Sequence, residues 1–422
     1  MGNYLIIEIE DAKSIKPIKT YLESINGLNK QKKISRTDTS TRIFTYLTDI
    51  NDLPHELKQS IASINEYNED FKETSNNNSN GLVSSIIEFF NKNNLHVQED
   101  KLIEHIPKKW SIYPPMILFN YNSFDNEIWH NVDFNALFEY IRNKKLFGSE
   151  ITHFAVNQPI IKTNNEMRKP VNLIPLYGDF GPDNKCDSIP TQEDFSSAFW
   201  CTVIQNGIFQ TWCPKYTMFS RGNIKEKARI LSTYKNLNNS IVFDLYCGIG
   251  YFSLSYLKNG ATLFCWELNP WSIEGFRRSI NGKYKYRIVQ KDDENFNYEI
   301  YQEDIKKGVR VFLFVESNEN VTRRLTTFPS NSLNISHINL GLLPTSYNSW
   351  LLTRKILQEY RQKSVESTLI HIHENYHIDE IQKLIEFIKS EYGVSNDDQI
   401  KGINKIKSYA PDIWHLVIDL QY

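Results

Sequence analysis

The stretch SIVFDLYCGIGYFSLSYLKNGATLFCWELNPWSIEGFRR, from Ser240 to Arg278, decides the fold of this chain. It begins with an apolar run that ends on Asp244, and a glycine-containing turn follows. A helical pattern of apolar residues then stops at Asn259-Gly260, a pair typical of a helix C-terminus. A second apolar strand ends on Glu267. The pattern predicts a β-α-β unit with a glycine turn after its first strand and an acid after its second.

This unit predicts a site for the adenosine part of a cofactor. Gly248 and Gly250 let the backbone approach a ligand, and Glu267 can accept hydrogen bonds from ribose hydroxyls. A dinucleotide site would show a third glycine where Ser253 stands, and the carboxylate of Asp244 would repel a pyrophosphate. S-adenosylmethionine carries a sulfonium and an ammonium but no phosphate. The spacing D-x-x-x-G-x-G therefore favours S-adenosylmethionine over a doubly wound domain with an incidental glycine turn.

Composition limits the class of protein. A chain of 422 residues predicts two or three domains, and no apolar run is long enough for a membrane span or a signal peptide. We therefore expect a cytoplasmic protein without a membrane partner. The cysteines are odd in number and lack C-x-x-C spacing, which favours reduced thiols over disulfides or zinc. They are Cys186, Cys201, Cys213, Cys247 and Cys265. With a net charge of −2, affinity for nucleic acid would require a local basic face.

Composition shifts along the chain predict its domains. Residues 1–73 alternate between strand and helix patterns and predict a small α/β module, and the polar run 74–80 predicts a linker. Residues 81–220 predict a β-rich α+β accessory domain in which Gln205-Asn206-Gly207 marks a hairpin. Strands and helices alternate over residues 221–422 and predict a Rossmann-type, mostly parallel sheet.

Ligands of such sheets bind outside the carboxyl ends of the strands. Several polar residues stand where predicted strands end, and we expect them to lie along one edge of the sheet. They are Asp244, Glu267, Ser317, Asn318, Asn339, His371 and His373.

Six ordered motifs carry a family resemblance: FWCTVIQNGIFQTWC, MFSRGNIKEKARI, FDLYCGIGYF, WELNPWSIEGFRR, NLGLLP and HIHENY. Together they resemble the tRNA wybutosine-synthesising aminocarboxypropyl transferases, which are relatives of the tRNA guanine-37 N1-methyltransferases. The resemblance covers the chain from about Pro107 to its C-terminus. Residues 1–80 show only a loose likeness to the N-terminal modules of eukaryotic relatives. The resemblance implies a class I methyltransferase-like fold for residues 221–422 and an accessory domain that aids tRNA and cofactor binding.

The resemblance also implies a reaction in tRNA modification. The 3-amino-3-carboxypropyl group of S-adenosylmethionine would be transferred to C7 of 4-demethylwyosine at position 37 of phenylalanine tRNA, during wybutosine biosynthesis. Methylthioadenosine would be released. The expected partner is the anticodon loop of that tRNA, the expected state is a monomer, and no metal is expected.

The resemblance assigns eight residues to the cofactor. In this assignment Lys227 pairs with the cofactor carboxylate and Glu267 holds the ribose. Ser317-Asn318 stands where the family usually has an Asp-Asn pair near the adenine. The eight residues are Ser220, Lys227, Asp244, Gly248, Gly250, Glu267, Ser317 and Asn318. Lys227 has a plainer interpretation as one of several solvated helix cations.

Two further residues, Arg221 and Asn339, are implied in catalysis through contact with the tRNA or the target base. Amino-group methyltransferases place a [D/N]-P-P-[Y/F] turn where this chain has NLGLLP, so the nucleophile is not expected to be an exocyclic amine. The sequence shows no strong general base. We therefore expect proximity and orientation to provide most of the catalysis, with Asn339 donating or accepting a hydrogen bond at the base.

Two groups of residues leave alternatives open. His371, His373 and His377 could bind a metal, but no acid or cysteine has ligand spacing to them, so a structural role is favoured. The basic clusters could be solvated faces, or they could join Arg168, Lys169 and Arg221 into one RNA-binding surface. These clusters are Arg277, Arg278, Lys283, Lys285, Arg287, Arg323 and Arg324.

Two other functions also remain open. A guanine N1-methyltransferase of the same fold would share the glycine loop and Glu267 but would carry a short N-L-P segment. A tRNA-binding module with a vestigial cofactor site is the second alternative, and a cofactor-binding titration would identify it.

Overall fold

The computed structural model describes residues 3–25, 27–29, 34–36, 39–45, 47, 49–68, 77–158, 165, 167–168, 173–183 and 189–422. The chain forms two compact units, Met1–Ile103 and Glu104–Tyr422. None of the helices in these described ranges is both long and apolar enough to cross a membrane.

The first unit combines a small sheet with helices. Its sheet has the strand order β2-β3-β1-β4, with antiparallel pairs throughout. Helix α1 begins where the Asp11 side chain accepts a hydrogen bond from the Lys13 amide, and its apolar face buries Ile18 and Leu22. The elements are β1 (Asn3–Ile9), α1 (Ala12–Ser24), β2 (Ser35–Arg36), β3 (Thr41–Phe44), α2 (His55–Lys58), β4 (Ser63–Asn68), α3 (Asn77–Lys92) and α4 (Glu99–His105), which spans the division.

The division between the units differs from the predicted one. Helix α3 begins at Asn77, inside the run 74–80 that the sequence predicts to be a linker; residues 74–76 lie outside the described ones. A run without apolar residues shows no helical periodicity, yet it can form the first turn of a helix. The apolar residues of α3, such as Leu82 and Ile86, come later and are fully buried. The compact unit therefore continues to Ile103.

The second unit begins with a mixed four-stranded sheet of order β5-β6-β7-β8, in which only β6 and β7 are parallel. A separate hairpin, β9–β10, turns at Asn206 and Gly207, whose φ angles are 53° and 67°. Two successive positive φ angles are what a two-residue hairpin turn requires, which confirms the predicted hairpin. The elements are β5 (Trp110–Tyr113), β6 (Met116–Phe119), α5 (Phe134–Asn143), β7 (His153–Val156), β8 (Ile174–Tyr177), α6 (Gln192–Ser197), β9 (Cys201–Gln205) and β10 (Ile208–Trp212).

The rest of the second unit is an eight-stranded sheet of order β13-β14-β12-β11-β15-β16-β18-β17. Its first six strands pair in parallel, and β18 pairs antiparallel with both β16 and β17, so the predicted mostly parallel sheet is confirmed. The elements are α7 (Ile224–Thr233), β11 (Ile241–Asp244), α8 (Ser253–Lys258), β12 (Thr262–Trp266), α9 (Pro270–Ile280), β13 (Lys285–Gln290), α10 (Tyr298–Lys306), β14 (Val309–Val315), α11 (Val321–Arg324), β15 (Ile335–Leu340), α12 (Trp350–Tyr360), β16 (Leu369–His377), α13 (Ile381–Tyr392), β17 (Ile400–Ala410) and β18 (Ile413–Gln421).

Helices cover both faces of this sheet because its central strands are apolar on both sides. Phe243 of β11 faces the layer of α10, α12 and α13, and Val242 faces the layer of α7, α8 and α9. Strand β11 lies between β12 and β15, where the chain order along the sheet reverses. A crevice forms at such a reversal, outside the carboxyl ends of the strands. The fold therefore predicts a ligand site at the carboxyl end of β11.

Candidate active site

The loop between β11 and α8 requires its glycines. Gly248 and Gly250 have φ angles of 54° and 84°, which L-residues with a side chain adopt only under strain. A Cβ atom on Gly248 would lie 2.7 Å from Cε2 of Tyr251, and one on Gly250 would lie 3.0 Å from the Phe276 ring. The bare backbone of this loop can consequently approach a ligand closely.

Glu267 follows β12 and lies against the glycine loop. Its Oε2 accepts a hydrogen bond from the Gly248 amide at 3.0 Å, and its Oε1 accepts one from the Asn269 amide at 2.8 Å. Burial raises the pKa of this carboxyl, and the nearby charge of Arg168 lowers it in part. A carboxylate has about four acceptor positions, so Glu267 can still accept from a ligand hydroxyl.

Asp244 ties three strand and helix ends together. Its side chain is fully buried at the end of β11 and accepts hydrogen bonds from Ser253 Oγ at 2.5 Å and Asn339 Nδ2 at 3.2 Å. Burial raises the pKa of Asp244, and these donors oppose that shift. Within the described part of the chain, Asn339 Oδ1 is buried and has no hydrogen-bond partner. The structure thus brings Asp244 and Asn339 together, with one amide acceptor unused.

The segment after β14 reaches the same edge of the sheet. Asn318 Nδ2 donates to the Leu245 carbonyl at 2.9 Å, and Ser317 Oγ accepts from the Glu319 amide at 3.3 Å. Asn318 therefore holds the start of the glycine loop, whereas Ser317 caps the short helical turn that follows β14.

Lys227 is the most unusual cation of the site. Its side chain lies in α7 and only 3% of the residue is exposed. Its Nζ donates to Gln210 Oε1 at 2.6 Å and to Gln205 Oε1 at 3.0 Å, and it lies 4.8 Å and 5.3 Å from the ring centroids of Phe219 and Tyr251. Among the described residues it forms no ion pair. Burial lowers the pKa of Lys227 to about 7.

An anion would stabilise this buried ammonium, because a charge removed from water without a counter-ion is costly. Tyr251 belongs to the turn that contains Gly248 and Gly250, and its hydroxyl donates to the Met218 carbonyl. The Tyr251 ring therefore lies close to both the glycine loop and Lys227. The site therefore contains the carboxylates of Asp244 and Glu267 and the buried ammonium of Lys227.

Ser220 and Arg221 lie beside this region. Ser220 is half-buried and precedes the short helical turn Arg221–Asn223, which leads into α7. Arg221 is exposed, and its Nη1 donates to Ser111 Oγ of β5 at 3.2 Å. The structure places these two residues at the rim of the site, and Lys227 inside it.

Sequence reasoning missed several residues of the site. Gln205 and Gln210 come from the β9–β10 hairpin, and neither belongs to a motif that points to a buried lysine. Arg168 was predicted only as a surface cation, but its guanidinium donates to the Leu343 carbonyl of NLGLLP and acts on the charge of Glu267. The Met167 carbonyl accepts from Asn269 Nδ2 at 3.3 Å. Met167 and Arg168 thus contact the loops that follow β12 and β15.

Carboxylates hold the arginines of the predicted basic clusters. Glu274 accepts from Arg277 at 2.6 Å and from Arg278 at 2.8 Å, and Glu316 accepts from Arg323 at 2.9 Å and Arg324 at 2.7 Å. Arg287 pairs in the same way with Asp304, and Lys169 lies outside the described residues. The alternative that these arginines form ordinary paired faces therefore fits the structure better than a joint RNA surface.

The histidines of β16 bond to other protein side chains. His371 contacts His337 at 3.0 Å and Asp419 at 2.6 Å, and His373 contacts His415 at 3.0 Å. His377 is half-buried at the end of the strand and accepts from the Asp379 amide. No group of three or more potential ligands among the described residues could hold a metal ion. The four described cysteines are free and buried, and Cys186 lies outside the described residues.

Comparison with known proteins extends these observations. A family model described as the TRM5/TYW2 methyltransferase domain matches residues 203–312. The chain is 36% identical over an alignment of 475 residues to tRNA wybutosine-synthesizing protein 2 of Saccharomyces cerevisiae, covering 98% of the chain and 96% of that relative. It is 39% identical over 330 residues to the protein of the same name from Schizosaccharomyces pombe, covering 75% and 73%. The structure of P. horikoshii TYW2 in complex with MeSAdo superposes with a TM-score of 0.52 at 17% identity, covering 80% of this chain and 98% of that one, which supports the predicted fold class.

Proposed function

The chain belongs to the tRNA wybutosine-synthesizing protein 2 family, and we propose that it transfers the 3-amino-3-carboxypropyl group of S-adenosylmethionine to C7 of 4-demethylwyosine at position 37 of phenylalanine tRNA. Methylthioadenosine is the by-product. In this proposal the chain acts as a monomer on the anticodon loop, and the sulfonium compound supplies an electrophilic carbon.

The burial of Lys227 without a carboxylate partner among the described residues is the observation that supports the proposal most. The three carbons on the sulfonium are all electrophilic, so the protein selects among them by orientation. An enzyme that transfers the aminocarboxypropyl arm must hold the carboxylate of that arm near the RNA. A buried ammonium that has only amide oxygens and aromatic rings around it is suited to bind this carboxylate.

The remaining site residues fit the rest of the cofactor. Glu267 accepts from the ribose hydroxyls, and the backbone at Gly248 and Gly250 lies against the adenosine. Ser317-Asn318 takes the adenine edge, and Ser220 lies beside the arm. A side chain at Gly248 would fill the space that this backbone leaves. Asp244 positions the loop and places a negative charge near the sulfonium.

Arg221 and Asn339 act on the RNA side of the reaction. Arg221 is exposed at the rim, where it can meet the target nucleotide, and Asn339 has an unused acceptor at the end of β15. During transfer, a bond forms between C7 and the arm, and the sulfur–carbon bond breaks with its electron pair going to sulfur. The C7 proton leaves to water. Orientation of the two reactants provides most of the rate enhancement.

A product assay tests the proposal. We expect the protein, incubated with S-adenosylmethionine and tRNA bearing 4-demethylwyosine, to release methylthioadenosine and to add an aminocarboxypropyl mass to the base. Chromatography of the nucleoside by-product and mass spectrometry of the tRNA digest measure both. S-adenosylhomocysteine with a methyl mass would instead identify a guanine N1-methyltransferase, and failure to bind the cofactor would identify a tRNA-binding module.

The affinity for S-adenosylmethionine should fall as pH rises above about 7. Burial lowers the pKa of Lys227 to about 7 in the free protein, so the lysine is protonated below that pH and neutral above it. Because a carboxylate binds the protonated form, affinity should drop by up to about tenfold for each pH unit above this pKa, until the pKa of the bound state is reached. Calorimetry between pH 6 and 9 measures the dependence.

The α-amino group of the ligand also titrates in this range, so a matched variant is required. Lys227→Gln keeps a polar end on a shorter stem and removes the titrating charge. Its affinity should be lower and its pH dependence flatter than those of the wild type. Equal pH profiles for the two proteins would show that Lys227 does not bind the carboxylate.

A further inference from the structure

Carboxylates pair with the arginines of the predicted clusters, but some other cations of the second unit have no such ion pair among the described residues. Lys109 precedes β5, Arg221 and Lys225 lie at the entry to α7, and Lys407 lies in β17. Among the described residues none of these four forms an ion pair. We call Lys109, Arg221, Lys225 and Lys407 the rim cations.

Direct contacts bring the three elements of the rim cations together. Arg221 Nη1 donates to Ser111 Oγ at 3.2 Å, and Lys109 is exposed two residues before Ser111 along the chain. On the other side, a Cβ atom on Gly222 would lie 2.8 Å from Cδ of Lys407. The stem of Lys407 therefore packs on the turn that contains Arg221.

The short segments that carry the rim cations contain no acid, and Glu226, which follows Lys225, is buried and pairs with Arg229. The segments 108–113, 220–225 and 400–410 include lysine and arginine but neither aspartate nor glutamate. Strand β17 is an edge strand, and it also exposes 57% of Tyr409, an aromatic ring on which a base can stack. Lys407 is half-buried, and burial lowers its pKa because no anion compensates the loss of water. An anion bound at this place would stabilise the charge.

We propose that the rim cations bind the phosphate backbone of the RNA substrate and so position the target nucleotide over the glycine loop. This inference rests on the proposed function and names the surface by which the same site holds its RNA. Four unpaired cations on three adjoining elements suit a polyanion with several charges better than a single acidic side chain. Contacts to phosphates fix position without reading sequence, which is what a site beside the reacting base requires.

The triple variant K109Q/K225Q/K407Q tests the proposal without changing Arg221. Binding of the full chain to tRNA should weaken uniformly, and the slope of log affinity against log salt concentration should decrease by about two to three. The KM for tRNA should rise about tenfold or more at moderate salt, while kcat and the affinity for S-adenosylmethionine stay unchanged. Fluorescence anisotropy with labelled tRNA, steady-state kinetics and calorimetry measure these quantities.

The matched control is K306Q/K355Q/K363Q, which removes the same charge. Lys306 and Lys355 are exposed on α10 and α12, which cover the opposite face of the sheet, and Lys363 follows α12. An unchanged salt slope in the rim variant, or an equal decrease in the control, would overturn the proposal. A wild-type protein that binds tRNA with the expected slope but makes no aminocarboxypropyl product would disprove the proposed reaction and leave the RNA surface intact.

Discussion

Gly248→Val should reduce the affinity for S-adenosylmethionine by about a hundredfold. Valine at a φ of 54° costs about 1–2 kcal/mol, and its side chain would collide with Tyr251, whose ring lies 2.7 Å from the nearest Cβ position. The loop can relieve this strain only by moving. Movement would release the Gly248 amide from Glu267 and the Tyr251 ring from Lys227. Binding would have to restore that arrangement at a cost of a few kcal/mol.

Gly308→Val is the matched control for the backbone strain. Gly308 has a φ of 84° between α10 and β14, and its Cβ position has no atom within 4 Å in the described structure. It should lower the thermal stability without changing cofactor affinity. Gly248→Ala adds a smaller side chain, in case the valine variant does not fold. If calorimetry found wild-type affinity for S-adenosylmethionine in folded Gly248→Ala and Gly248→Val, the glycine loop would not be part of the cofactor site.

Lys227→Ala should lower kcat/KM for aminocarboxypropyl transfer by about 10- to 150-fold. A lost hydrogen bond to a charged group costs about 1.5–3 kcal/mol, and here the lost group also orients the arm toward the acceptor. Steady-state kinetics with modified tRNA measures the loss. The by-products are a second readout, because a less firmly held arm should allow a detectable fraction of methyl transfer with S-adenosylhomocysteine.

Lys227→Met separates this role from a structural one. Methionine fills the volume of the lysine stem but removes a buried charge that has no ion pair, so the free energy of unfolding should stay unchanged or increase. Activity should still fall as in Lys227→Ala. Lys235→Ala, at an exposed position after α7, should leave both quantities unchanged. If Lys227→Met retained wild-type kinetics, the lysine would not be the carboxylate anchor.

The sequence by itself determined the central β-α-β unit, since every signal in it is local. Period and turn chemistry identify β11, α8 and β12: Asn259 and Gly260 end α8, and Asn269-Pro270 begins α9. The position of the residue after each strand then follows as well, because parallel strands all end at the same edge of the sheet. For this reason the sequence predicts Asp244, Glu267, Ser317, Asn318 and Asn339 along one edge of the sheet, and the structure places them there. The sequence predicts His371 and His373 at a strand end as well, which is wrong, because both lie within β16, which continues to His377 and pairs with β18.

Only the tertiary structure decided the environment of each charge. Lys227 is buried because Gln205 and Gln210 of a distant hairpin surround it, whereas its own helix shows just another lysine among cations. The same holds for Arg287 and Arg324, since their carboxylate partners Asp304 and Glu316 belong to other elements of the chain. Ionic pairing depends on distances of a few ångströms between side chains, and a local pattern does not encode those distances.

The edge strand β17 is another feature that a local sequence pattern does not identify. Its lysines interrupt the apolar alternation that identifies a strand, whereas its partner β18 is buried along most of its length. Pairing with β18 makes it a strand, because an edge strand has a neighbour on one side only and tolerates charged residues. Long-range pairing thus placed Lys407 beside Gly222 and created a cationic rim that no segment of the sequence contains alone.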